Sequence, residues 1–255
     1  MSNKKYLIFL DIDETVMTHE TIHPRTTEAL RRAKEEGHKI FINTGRAYSI
    51  VPEKVVRATD PDGYVCGIGM TVIIDGRIEF SKKMDYALVE RLMDFAKRHS
   101  ILATVQGENS SVSYGGRFFS NEDSVVSSFE DMRARFPDMN ATKMSFRRRL
   151  TDEEVNEISD AVAVYNYKNY AEVNLYGYTK ASGMRIVQRA LGVSDDRVIA
   201  IGDSLNDAEM LKAAGIAVVM GNADDEIKEL ADFVTLPCCD GGVGYAIEKL
   251  VLEEK

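Results

Sequence analysis

The chain is poor in cysteine, carries no excess of positive charge, and has neither a long apolar run nor a low-complexity stretch. Among its 255 residues only Cys66, Cys238 and Cys239 are cysteines. An odd number with two adjacent members defines no disulfide framework and no zinc-ligand spacing. A reducing compartment is the expectation. Lys and Arg total 32 against 41 Asp and Glu, a formal charge of −9, which lacks the basic stripe of a nucleic-acid binder. Such a surface also repels phosphate and anionic lipid at long range. An anionic ligand therefore needs a local arrangement: backbone N–H groups, a single lysine or a metal. No stretch reaches the roughly 18 apolar residues of a membrane helix. Residues 1–5 lead straight into a strand-like run without a signal-peptide pattern, so a cytoplasmic location is expected. There is no internal repeat and no Pro/Ser-rich linker. The content is 44% hydrophobic and 29% charged residues, an ordinary globular balance, and the length suffices to bury a core without staples.

Short apolar runs alternate with helical patterns, the signature of βαβ units. Residues 6–10, 39–42, 63–68, 197–201, 216–220 and 233–236 read as strands, several apolar throughout as in strands buried on both faces. Helical spacing covers 24–36, ending at Gly37, and 182–191, 207–214, 225–231 and 245–253. A hairpin is predicted over 71–74 and 78–80, turning at Asp75-Gly76. Between them the style changes. Helices are predicted over 86–98, 125–136 and 152–164, and strands over 101–105, 111–114, 143–146 and 172–176. The expected fold is α/β: a doubly wound, parallel-sheet (Rossmann-like) core, 1–81 and 179–255, with an inserted α+β cap domain, 82–178.

Polar signals stand at the C-terminal ends of predicted core strands, the edge where open α/β sheets bind ligands. Asp11-Ile12-Asp13-Glu14-Thr15 follows the first strand. Two carboxylates leaving a buried strand are costly unless a cation or hydrogen bonds offset them, and Mg²⁺ favours carboxylate oxygen. The competing reading is an acidic turn in which Asp13 or Thr15 caps a local N–H. Gly202-Asp203-Ser204-Leu205-Asn206-Asp207 crosses a strand-to-helix turn, so Asp203 and Asp207 can face one point; simple helix capping is the alternative. Asn43-Thr44-Gly45-Arg46 offers a hydroxyl, backbone N–H groups and a helix start, suited to phosphate. Lys180 stands just ahead of a helix and, alone, reads as a surface lysine.

The order Asp-x-Asp-x-Thr, Thr-Gly-Arg, Lys, Gly-Asp-Ser-x-Asn-Asp resembles the haloacid dehalogenase-like phosphohydrolase superfamily. The insertion between the second and third signals is similar to the Cof-type, class IIB cap arrangement. Met220-Gly221-Asn222-Ala223 and Asp240-Gly241-Gly242-Val243 are similar to that subfamily's C-terminal pattern. Glu14 stands where many members have Gly, and Gly69-Met70 where Asn-Gly is common. The resemblance implies a Mg²⁺-dependent phosphatase acting on small phosphorylated metabolites, sugar phosphates or phosphorylated cofactors, through an aspartyl-phosphate. It implies catalytic roles for Asp11 (nucleophile), Asp13 (acid and base), Thr44 and Lys180. Metal ligands would be Asp11, Asp13 through its carbonyl, Asp203 and Asp207. Phosphate contacts would come from Thr44, Gly45, Arg46, Lys180 and Asn206, with Asn222 a weaker candidate. The insert would be a lid. Its candidates for substrate choice are Arg147-Arg148-Arg149 and Tyr165, Tyr167 and Tyr170, for which a solvated strand end and sheet packing are the stronger readings. The expected partner is the metabolite alone, with no nucleic acid and no membrane, and the chain a monomer or weak homo-oligomer. A phosphomutase and a non-catalytic regulatory module are the alternatives.

Overall fold

The computed structural model describes residues 4–116 and 124–253. The chain forms two compact units, one of Met1–Gly45, Val51–Phe80 and Thr179–Lys255, the other of Ser81–Tyr178 with Arg46–Ile50.

The first unit opens with β1 (Leu7–Leu10), α1 (Pro24–Glu35), β2 (Lys39–Asn43), α2 (Glu53–Thr59), β3 (Gly63–Cys66) and the hairpin β4 (Thr71–Ile74) and β5 (Arg77–Ser81). In the second unit come α3 (Tyr86–Arg98), β6 (Ala103–Gly107), β7 (Ser111–Tyr114), β8 (Val125–Val126), α4 (Phe129–Arg135), β9 (Ala141–Phe146), α5 (Asp152–Ile158), β10 (Ala163–Asn166) and β11 (Ala171–Asn174). The chain returns to the first unit with α6 (Lys180–Leu191), β12 (Val198–Gly202), α7 (Ala208–Ala213), β13 (Ile216–Val219), α8 (Asp225–Lys228), β14 (Phe233–Val234) and α9 (Gly242–Ile247).

The first unit's sheet runs β14-β13-β12-β1-β2-β3-β4-β5. It is parallel from β14 to β3, and β4 is antiparallel. Its inner strands β1, β12 and β13 are apolar throughout because both faces are covered. Ile8, Leu10, Ile40, Ile42, Ile199 and Ile201 point into a core shared with α1 and α9. Leu7, Phe9, Phe41, Val198 and Ala200 point the other way, into a core shared with α6 and α7. Strand order reverses at β1, which lies between β2 and β12. That reversal opens a crevice at the C-terminal ends of β1 and β12.

The second unit carries a mixed sheet, β10-β11-β9-β6-β7-β8. One face buries Ala103, Val105, Val112, Met144, Phe146 and Val173 against Val89, Leu92 and Phe95 of α3 and Ile158 of α5. Three expectations change here and in the first unit. Residues 125–136 are not one helix: β8 comes first, and α4 begins after Ser128, whose side chain accepts from Asp131 N. Helix 152–164 stops at Ile158, because Ala163–Asn166 pairs along its length with β11. The last helix starts at Gly242, three residues before the predicted start. Helix α2, after Pro52, had no counterpart in the sequence pattern. No helix of the described residues is long and apolar enough to cross a membrane.

Candidate active site

Asp11 follows β1 directly, its N–H bonded to Ile201 O at 3.0 Å, and is 5% exposed. The chain then turns sharply. The N–H groups of Val16 and Met17 both reach Ile12 O, and Glu14 N reaches Met17 O. Glu14 takes φ +57° to make this turn, a left-handed conformation that glycine adopts without cost. Its carboxylate accepts from Thr18 Oγ1 at 2.9 Å. The turn brings Thr15 Oγ1 to donate to Asp203 Oδ1 at 2.8 Å. Asn222 braces the same turn: its Nδ2 donates to Glu14 O, and its Oδ1 accepts from Cys238 N.

At the end of β12, Asp207 folds back under the strand end. Its Oδ2 accepts from the N–H groups of Asp203 and Ser204 at 3.2 and 3.1 Å and from Ser204 Oγ. A Cβ on Gly202 would stand 2.5 Å from Asp207 Cγ, so only glycine leaves that carboxylate its seat. Lys180 is the first residue of α6, within a reciprocal Thr179–Ser182 capping box. A cation at a helix N-terminus opposes the macrodipole. Two carboxylates compensate: Lys180 Nζ donates to Asp11 Oδ1 at 2.6 Å and to Asp207 Oδ1 at 2.7 Å, with the lysine side chain fully buried. The start of α6 lies against the 67–70 loop, where a Cβ on Gly69 would meet Thr179 O at 2.2 Å.

One carboxylate oxygen from each of Asp11, Asp203 and Asp207 lies within 4.8 Å of the others. These three acids face one ammonium. Burial, then the Asp207 charge, pushes Asp203 up to about 7, with Thr15 and Lys180 opposing. Burial raises Asp11 well above the usual carboxylate range, Lys180 pulling the other way. Burial alone would discharge Lys180, but Asp11 and Asp207 outweigh it and hold the ammonium. The cluster is thus too negative for its depth and draws positive charge. Its donors are hard carboxylate oxygens, the set a divalent cation such as Mg²⁺ takes.

The other sequence-predicted residues fall as follows. Asp13 is exposed and its carboxyl is not among the three that converge. Thr44 is buried after β2, its N–H on Val65 O. Gly45 ends the first segment of the first unit, whereas Arg46 groups with the second unit, donating to Ile50 O. Asn206 Oδ1 accepts from Ser204 Oγ. In the insert, Arg148 is committed to Glu154, and the Tyr167 and Tyr170 rings stack at 4.5 Å. Sequence reasoning missed Asn43 as a site residue. It is fully buried and its Nδ2 donates to Lys180 O at 3.1 Å. The available signal was an amide at the end of an otherwise apolar strand.

A family model described as haloacid dehalogenase-like hydrolase matches residues 8–247. Two Bacillus subtilis proteins, both 5-amino-6-(5-phospho-D-ribitylamino)uracil phosphatases, are 28% identical to this chain. One alignment covers 96% of each chain, the other 98% of each. A solved structure of a haloacid dehalogenase subclass IIB sugar phosphatase superposes with a TM-score of 0.82 at 25% identity, covering 96% of this chain and 98% of that one.

Proposed function

From the premise that this chain belongs to the haloacid dehalogenase-like hydrolase family and is a phosphatase, we propose a Mg²⁺-dependent enzyme that hydrolyses small phosphorylated metabolites through an aspartyl-phosphate. The substrates are sugar phosphates or phosphorylated cofactors, and the enzyme works in the cytoplasm. Three free cysteines support that compartment. The observation that carries the reading is the buried lysine spanning Asp11 and Asp207 inside a cluster with more carboxylates than it can neutralise.

In this reading the Asp11 carboxylate attacks phosphorus. An aspartyl O–P bond forms as the ester P–O bond breaks, and the departing alkoxide takes a proton from the Asp13 carboxyl. Asp13 then accepts a proton from water as that water attacks the phosphoaspartate, releasing phosphate and restoring Asp11. Lys180, Thr44 and the N–H groups around Gly45 hold the phosphoryl oxygens as charge builds on them. Arg46 and Asn206 assist that hold. Asp203 and Asp207, with Asp11 and the Asp13 carbonyl, would carry the cation. When bound, Mg²⁺ neutralises the repulsion between carboxylate and phosphate. Asn43 positions Lys180 through its carbonyl.

The test is phosphate release from a panel of phosphorylated sugars and cofactors, with Mg²⁺ and with EDTA, by the wild-type protein and by Asp11→Asn. Metal-dependent release that the variant lacks is expected. Near-normal turnover by Asp11→Asn overturns the nucleophile. Transfer that needs a bisphosphate activator and releases little phosphate makes the protein a mutase.

A further inference from the structure

The two ends of the first unit's sheet are not alike. At one end β14 is only two residues long, and shortness blunts an edge. At the other end β5 runs for five residues, and among the described residues only β4 lies beside it in the sheet. A strand open on one side is a template for another chain. Residues 77–81 contain no proline, and their two charges are of opposite sign.

The turn before β5 sets which groups face outward. Asp75 and Gly76, at φ +47° and +75°, join β4 to β5 as a two-residue turn. Such a turn closes on the pair that flanks it, here Ile74 and Arg77. Bonding direction alternates along a strand, so the N–H and C=O of Ile78 point away from β4. Side chains alternate as well. Phe80 packs with Val72 and Ile74 in the core, and Ile78 carries that face into solvent, 57% exposed. Arg77 and Glu79 stand on the opposite face. Both are exposed, and neither joins an ion pair among the described residues.

Those two charges fit a second copy of the same strand. A two-fold axis at Ile78 pairs β5 antiparallel with itself. Ile78 then exchanges N–H···O=C bonds with the copy's Ile78, and Arg77 faces the copy's Glu79 on either side of the axis. Moving the axis to Glu79 would set two glutamates opposite each other, which is unfavourable, so charge selects the first register. Two charges of one sign on β5 would instead repel a copy. We infer that β5 is a self-association edge through which two copies of this chain join their sheets, with Ile78 at the centre and the Arg77–Glu79 pairs fixing the register. β5 is four strands from β1, so the pairing does not involve the acids at the end of β1, and the inference stands apart from the phosphatase reading. A contact of so few residues is smaller than a stable interface, which makes the dimer weak and concentration-dependent.

Sedimentation equilibrium of the full chain, from about 10 µM to about 1 mM, tests this. It compares wild type, Arg77→Glu, Glu79→Arg, the double swap of both, and Ile78→Pro, with urea melts as the check on folding. Wild type is expected to dimerise within that range. Each single charge reversal replaces two attractions by two repulsions and should weaken the dimer about tenfold or more. The double swap restores both pairs and should return to within about threefold of wild type. Ile78→Pro deletes the outward N–H without removing a bond to β4 and should abolish dimerisation. A wild type still monomeric at about 1 mM overturns the inference. So does a dimer that the single reversals leave unchanged, or one that the double swap fails to restore. A charge variant that does not fold assigns these residues to the hairpin itself and overturns it too.

Discussion

Replacing Lys180 with Met keeps the length of the side chain and removes its charge. Lys180 is fully buried and its Nζ holds Asp11 and Asp207 at 2.6 and 2.7 Å. The variant leaves two carboxylates, 5% and 0% exposed, without their cation. Breaking a buried pair by deleting one partner costs about 3–5 kcal/mol. For a chain of this size, that lowers the melting midpoint by roughly 2–4 °C per kcal/mol. The loss depends on pH in a defined direction. Burial already raises Asp11 above its unfolded value in the intact protein, and deleting the lysine removes the charge that opposes that shift. Groups raised in this way bind more protons folded than unfolded, so their contribution is present at low pH and lost as pH rises. The deficit of Lys180→Met relative to wild type is therefore small near pH 4 and largest near pH 8. Urea melts of both proteins across that range, without metal and with EDTA, measure it. A variant as stable as wild type at pH 8 would refute the buried, charged bridge. Turnover should fall about 10²–10³-fold, the usual loss for one donor to developing charge.

Other outcomes follow from the same structure. Mg²⁺ should raise the melting midpoint of wild type, by about 2.7 kcal/mol of stability at a hundredfold excess over its dissociation constant. Asp203→Asn should abolish most of that shift; thermal melts with Mg²⁺ and with EDTA decide it. Glu14→Gly removes a left-handed side chain at φ +57° and should hold or raise stability by about 1 kcal/mol, read from urea midpoints. A loss above that figure would mean the Thr18 contact outweighs the strain. Glu154 is held down to about 2 by Arg148, against burial. A depressed acid stabilises above its unfolded value near 4.5 and loses that stability as pH falls toward 2. Glu154→Gln should cost about 1–2 kcal/mol at pH 7, allowing for the half-exposed arginine, and nothing at pH 2. An unchanged difference across that range would reject the pairing.

How much was legible in advance follows from which forces act locally. The apolar runs that become β1, β2, β12 and β13 are visible in sequence because strands buried on both faces admit little else. The acids leaving them stand out for the same reason: Asp11 and Asp203 break an apolar run where a solvated turn would need no such abruptness. The family was read by resemblance, from the order of those acidic signals with Thr44-Gly45-Arg46 and Lys180. Short elements were not legible. Val125–Val126 and Ala163–Asn166 became strands because neighbours in the sheet supplied their hydrogen bonds, a contribution no local periodicity records. Lys180 looked like an ordinary surface lysine. It lies 169 residues from Asp11, and only the return of the chain beside β1 made it a buried counterion. The polar residues Thr104, Gln106, Lys143 and Ser145 carried no signal of their own in the sequence. Tertiary structure buried them and left one amide oxygen without a partner. Residue type and local order set where charge and apolar surface would be. Which charges meet, and which polar groups lose water, depended on contacts between segments far apart in the chain.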